Sequence, residues 1–133
     1  MTGLPPGVVP LQLAQGLPVL HPEELVWVEM LNGWCNQQLG RNLSFTTIDQ
    51  RIANIERFRR FTEKYPWHWE VTDMDDFSLE LRGVRGVSHS TMLNYQGSVR
   101  LFMEYLTDSS YGWAEECLKR FGTHPAQIAF EWN

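Results

Sequence analysis

Residues 43–62 read LSFTTIDQRIANIERFRRFT, and residues 87–106 read VSHSTMLNYQGSVRLFMEYL. At an offset of 44 residues the two stretches carry the same pattern, with Ser44 over Ser88 and Thr47 over Thr91. Serine is favoured just before a helix, and apolar residues then recur every three or four positions in both copies. The pattern predicts two similar helices, each capped by its serine.

Each copy predicts one apolar helix face. The first face consists of Ile48, Ile52, Ile55, Phe58 and Thr62, and the second of Met92, Tyr95, Val99, Phe102 and Leu106. Leu93 and Leu101 lie on the opposite side of the second helix, which predicts burial on two faces. Gly97 aligns with Ala53, and small residues at matched positions predict close approach of a neighbouring helix or backbone.

A further helix is predicted before the first copy. It runs from 21 to about 39, with Pro22 at its first position and Gly40 ending it. Its predicted apolar face consists of Trp27, Val28, Leu31, Trp34 and Cys35. The helix of the first copy is predicted to continue to about Lys64, before Pro66.

Two short helices complete the prediction. One lies in TDMDDFSLELRG, with Thr72 as its cap, Asp75 in a capping box and Gly83 past its end. The other lies around YGWAEECLKRFG and ends at Gly122. The predicted fold class is therefore all-α, a compact four- to five-helix bundle of two helical hairpins. Residues 1–20 are predicted to form a flexible arm, 21–122 the helical domain, and 123–133 the start of a linker.

Composition and charge exclude several classes of protein. The chain has 133 residues, enough for one domain, and two cysteines, both predicted to be small core residues of a reduced, cytoplasmic protein. No apolar run could span a bilayer, and no metal-ligand spacing, phosphate loop or catalytic triad is present. We expect no cofactor, no bound metal and no enzymatic activity in this chain.

The chain is acidic, at −5, but residues 41–64 and 82–100 each carry a net charge of +3. These segments contain the two copies and the arginines before them. A capped helix start flanked by basic residues has two explanations: ordinary capping by Ser and Thr, or two helices that approach a nucleic-acid backbone together. Arg57, Arg60 and Lys64 share a face with Gln50 and Thr46, although basic runs are often only solvated.

Both copies follow one order: a hydroxyl-rich helix start, then Thr, an aromatic or basic residue, an aliphatic residue and Phe. This order resembles the core-binding domain, also called SAM-like, of tyrosine recombinases of the phage integrase family. The matching residues are Ser44, Thr47, Arg51, Ile55 and Phe58, and again Ser88, Thr91, Tyr95, Val99 and Phe102. The final segment, YGWAEECLKRFGTHPAQIAFEWN, looks like the lead into a catalytic domain. The resemblance covers roughly residues 23–133.

The resemblance implies a DNA-binding module from a mobile element, prokaryotic or phage-encoded, which clamps the core recombination site. The catalytic Arg, His and Tyr would belong to an absent domain that follows, and other protomers on double-stranded DNA would be further partners. The predicted phosphate contacts are Arg41, Arg57, Arg60, Lys64, Arg85 and the two helix starts with Ser44, Thr47, Ser88 and Thr91. The predicted base contacts are Thr46, Gln50, Ser90 and Asn94, and His89 and Ser98 are further predicted DNA contacts. The alternative is a helical protein-interaction module in which the repeat is only architectural.

Overall fold

The computed structural model describes residues 6–10 and 21–130, and within these ranges the chain is helical and has no strand. Five α-helices are present: α1 Pro22–Gly40, α2 Phe45–Thr62, α3 Val71–Leu79, α4 His89–Thr107 and α5 Trp113–Phe121. A 3₁₀ turn spans Pro66–His68, and a π-helical turn, Glu80–Val84, follows α3 directly. The all-α bundle is confirmed. No helix of the described ranges is long and apolar enough to cross a membrane.

Helix α1 begins as predicted, with Pro22 in its first turn, but it fully buries only Trp27 and Trp34 of the predicted apolar face. Val26, Met30 and Trp34, each four residues apart, are buried, whereas Val28 is exposed. Apolar residues surround this helix on most sides, so spacing alone did not fix the side that packs. The helix ends at Gly40 as predicted, although the residue that takes the left-handed conformation is Asn42, at φ 63°.

The two copies form α2 and α4, and both begin as predicted at their serine caps. The apolar face of α4 is buried at all five predicted positions, and α2 buries Ile48, Ile55 and Phe58. Helix α2 ends earlier than predicted, at Thr62, because Glu63 turns left-handed at φ 57° and donates its N–H to the Arg59 carbonyl.

The predicted second buried face of α4 is wrong. Leu93 is 52% exposed, although Leu101 is partly buried against the core. The close approach predicted at Gly97 is also wrong, because a Cβ placed there would meet nothing within 4 Å apart from the adjacent residues and the backbone of its own helix. The tightly packed helical glycine is Gly33 of α1, where a Cβ would lie 2.2 Å from the Tyr105 hydroxyl.

Helix α3 is capped two residues earlier than predicted. Asp73 accepts the Glu70 N–H at 2.8 Å, so the capping box uses Glu70 and Asp73 rather than Thr72 and Asp75. Gly83 does not end the helix, since it lies inside the π-helical turn. The left-handed residue that follows is Gly86, at φ 64°. The last helix, α5, ends at Gly122 as predicted.

Both chain ends of the described structure pack against the helices. Residues 6–10 do not form a free arm: the Gly7 carbonyl accepts hydrogen bonds from Tyr105 and Trp113, and the Val9 N–H donates to the Tyr111 carbonyl. The rest of the predicted arm, 1–5 and 11–20, lies outside the described residues. The predicted linker is likewise packed up to residue 130, with Ile128 and Ala129 buried, and its last three residues are not described.

The two cysteines should differ in reactivity. Cys117 is fully buried, and burial raises the pKa of its thiol to about 12, whereas Cys35 is only half-buried. At about pH 8 only about one Cys117 thiol in ten thousand is ionised. We expect iodoacetamide to modify Cys35 and spare Cys117 in the native protein, and to modify both in denaturant, as read by peptide mass spectrometry. Equal modification rates without denaturant would contradict the placement of α5.

Candidate nucleic-acid interface

The two copies of the repeat contact each other at equivalent positions. The Asn54 side chain of α2 donates to the Ser98 hydroxyl of α4 at 3.1 Å, and these residues are 44 positions apart, the offset of the repeat. Three residues later in α2, Arg57 donates to the Tyr95 hydroxyl, three residues earlier in α4. The helices therefore pass each other in opposite directions, related by a local twofold axis at the Asn54–Ser98 contact.

This packing separates the two helix starts. Each serine cap lies ten residues before the contact, or about 15 Å along its helix at about 1.5 Å per residue. Since the helices run in opposite directions, the starts lie on opposite sides of the contact. The sequence predicted two helix starts that approach a backbone together, but this arrangement allows them to reach it only at separate points.

The hydroxyls of both helix starts are used in capping. Ser44 accepts the Thr47 N–H at 3.2 Å and donates to the Thr47 hydroxyl at 2.9 Å. Ser88 makes the same two bonds to Thr91, at the same distances. Capping therefore accounts for these four predicted residues without a ligand.

The predicted base contacts lie along one polar band. Thr46 and Gln50 precede Asn54 by two turns and one turn on the same side of α2, and Ser90 and Asn94 stand in the same relation to Ser98 on α4. All four of these predicted side chains are exposed. The band therefore runs from one helix start, across the contact, to the other.

Ser98, predicted as a DNA contact, is unsuitable for one. Its side chain belongs to a residue that is only 3% exposed, and its hydroxyl accepts from Asn54 and donates to the Asn94 carbonyl at 3.1 Å. His89, by contrast, is exposed in the first turn of α4.

Three predicted phosphate contacts converge on one cleft. Arg57 and Arg60 of α2 and Arg85, just after the π-helical turn, line a surface cleft of about 390 Å³. The other lining residues are Phe61, Phe77 and Glu80. The Arg57 guanidinium is oriented by the Tyr95 hydroxyl and lies 5.8 Å from the centre of that ring. We call this site the arginine cleft, and it lies beside the half of α4 that starts at Ser88.

The other two predicted phosphate contacts lie elsewhere. Lys64 forms an ion pair with Asp73, its Nζ being 3.0 and 3.1 Å from the two carboxylate oxygens. Arg41 lies near the start of α2, in a second cleft that also contains Glu104 and Asp108. The Ser110 N–H, with a smaller contribution from Arg41, holds the pKa of Asp108 below its usual value. Two acids and two arginines therefore line this second cleft, whereas the arginine cleft has three arginines and one acid, Glu80.

Three residues of the arginine cleft, Phe61, Phe77 and Glu80, were not predicted as site residues. Phe61 is 39% exposed on α2, and the sequence assigned Phe77 and Glu80 only to the short helix in TDMDDFSLELRG. Phe61 follows Arg57 by four residues, which places both on one face of α2. That spacing could have indicated the position of Phe61, whereas the position of Glu80 depends on the π-helical turn.

Among the described residues, no group of three or more His, Cys, Asp or Glu side chains could hold a metal ion. Comparisons with protein-family models, with curated proteins and with solved structures give no match for this chain. The resemblance to recombinase core-binding domains therefore rests on the repeated motif and the final segment alone.

Proposed function

We propose that this chain is a DNA-binding module of a site-specific recombinase of the tyrosine recombinase type, and that it clamps the core recombination site. The convergence of Arg57, Arg60 and Arg85 on one cleft is the observation that supports this proposal most strongly. Guanidinium groups are well suited to phosphate oxygens, and neutralised phosphates supply most of the affinity of such proteins for DNA.

The polar band supports the same proposal. Its amide and hydroxyl side chains, from Thr46 and Gln50 on α2 and from Ser90 and Asn94 on α4, are of the types that bond base edges in the major groove. In this proposal the arginine cleft fixes the module on the backbone, and the band contacts the bases. Catalysis belongs to a separate domain, and further protomers bind beside this one on the same DNA, in a prokaryotic or phage setting.

The acidic net charge of −5 sets the expected strength of binding. With few phosphate contacts and repulsion from the rest of the surface, affinity should be modest and should fall steeply as salt rises. We expect binding to a short DNA duplex at about 50 mM salt and its loss towards about 200 mM.

The test measures fluorescence anisotropy of a labelled duplex over this salt range. Replacement of one phosphate-contacting arginine, Arg60→Ala or Arg85→Ala, should weaken binding to all sequences alike and reduce the salt slope by about one. Lys119→Ala on α5 removes the same charge away from the cleft and is the matched control. Absence of binding at low salt, or equal loss in Lys119→Ala, would contradict the proposal.

A protein-interaction module is the competing proposal, and one observation favours it. A separate cleft of about 660 Å³ contains three acids and the stacked rings of Tyr65, Trp67 and Phe121. Its charge would suit a basic segment of another protein. Measurement of the solution mass and of DNA binding on one sample distinguishes the two proposals, since a stable oligomer indifferent to DNA favours this one.

A further inference from the structure

The arginine cleft contains charged groups that have no partner within the described protein. The Arg60 and Arg85 side chains make no hydrogen bond or ion pair with any described residue, although both are exposed beside the Glu80 carboxylate. Two unpaired guanidiniums favour an anion, and one phosphate group could accept from both. The cleft thus offers an anion site next to a hydrogen-bond acceptor.

The same cleft contains an exposed aromatic ring on a fixed support. Phe61 is 39% exposed, and its ring centre lies 5.2 Å from that of Phe77. Phe77 is buried and is held in turn by Phe58 and Tyr95, at 5.2 and 5.5 Å. The Phe61 ring is therefore supported from behind and offers its remaining surface to the cleft.

Binding of an intact DNA duplex would not require the Phe61 ring. A phosphodiester needs only the guanidiniums, and the bases of an intact duplex are already stacked on each other. An unpaired base, by contrast, can stack on an aromatic side chain, and every base can do so. The cleft volume of about 390 Å³ is within the usual range for small-ligand sites. Glu80 could accept a hydrogen bond from the amino group of cytosine or adenine.

We propose that the arginine cleft binds one unpaired nucleotide of the DNA, with its base on Phe61 and its phosphate on Arg60 and Arg85. This inference rests on the proposed DNA-binding function and specifies the form of DNA that the site recognises. Distorted or unpaired positions would then bind more tightly than intact duplex.

Three labelled DNAs test the proposal: a perfect duplex, the same duplex with one bulged cytosine, and the same duplex with a bulged abasic nucleotide. The abasic bulge has the same flexible backbone and phosphate but no base. We expect the cytosine bulge to bind at least about fivefold more tightly than the perfect duplex, the lower end of the effect of base–aromatic stacking. The abasic bulge should show no comparable gain.

Phe61→Leu should abolish the gain, so that this variant binds the cytosine bulge no more tightly than the perfect duplex. Phe45→Leu is the matched control, since Phe45 is an exposed phenylalanine at the start of α2, outside the cleft. Thermal unfolding of both variants shows that they remain folded. Loss of the gain in Phe45→Leu but not in Phe61→Leu would refute the placement of the base.

The possible failures are distinguishable. If all three DNAs bind equally and Arg60→Ala still weakens binding, the nucleotide site is refuted and the DNA-binding function stands. If none binds at low salt, the DNA-binding function itself is refuted. A phosphotyrosine peptide that binds in a Phe61-dependent manner, with no effect of the bulge, would instead assign the cleft to a protein partner.

Discussion

Replacing Phe102 by alanine should lower the free energy of unfolding by about 3–5 kcal/mol, the usual cost of removing a fully buried aromatic ring. Phe102 has no exposed surface, and its ring centre lies 5.0 Å from that of Trp34. It also lies 6.2 Å from both Trp27 and Trp69. These contacts join α1, α4 and the connector after α2. The variant would therefore lose the contacts of α4 with α1 and with the connector, and it would leave a cavity between these three parts.

Phe45→Ala provides the control for this prediction. It removes the same ring from the first residue of α2, where the side chain is 72% exposed. We expect a change within about 0.5 kcal/mol, as for most surface substitutions. Urea denaturation, monitored by far-ultraviolet circular dichroism, measures the free energy of unfolding of both variants. Similar midpoints for Phe102→Ala and Phe45→Ala would show that the aromatic cluster does not form the core.

The repeated pattern predicted the helices well because capping and apolar spacing are local. Ser44 and Ser88 cap as expected, and the buried face of α4 matches position by position. Helix ends were less predictable. Asn42 and Glu63, rather than glycines, take the left-handed conformation, and the local sequence gives little indication that such residues will do so.

The sequence identified those site residues that are charged and exposed and that make no hydrogen bond or ion pair with any described residue. Arg60 and Arg85 were predicted as phosphate contacts from their charge and position in the sequence, and both line the arginine cleft. Lys64 and Ser98 were predicted on helix faces, but Asp73 and Asn54 occupy their polar groups. Such pairings depend on how separate helices pack, which spacing within one helix does not reveal.

Sequence differences at matched positions explain why duplication does not give two equal sites. A position on α2 is matched by the position 44 residues later on α4, so Arg60 corresponds to Glu104 and Lys64 to Asp108. The arginine cleft consequently has an acid-containing counterpart beside Arg41. One fold element, used twice, thus presents basic surface at one end of the helix pair and mixed charge at the other.

Replacing Gly33 by alanine should lower the free energy of unfolding by about 2–4 kcal/mol, through overpacking and the loss of buried hydrogen bonds. A Cβ at Gly33 would lie 2.2 Å from the Tyr105 hydroxyl and 3.2 Å from the Gly7 carbonyl. That hydroxyl cannot move away freely, because it donates to Gly7 at 2.5 Å and accepts from Trp113 at 2.8 Å. The substitution would therefore displace residue 7 from the bundle.

Gly97→Ala is the matched control and should have the opposite sign. Gly97 also lies inside a helix, but its Cβ would meet nothing within 4 Å apart from the adjacent residues and the backbone of α4, so alanine should stabilise α4 by about 0.5–1 kcal/mol. Urea denaturation measures both. In a Tyr105→Phe background Gly33→Ala should cost less, because the atom nearest the new methyl group is gone. If Gly33→Ala lowers the free energy of unfolding equally in the Tyr105→Phe background, the hydroxyl is not the source of the strain. If Gly33→Ala leaves the free energy of unfolding of the wild-type protein unchanged, the packing of residues 6–10 against α1 is refuted.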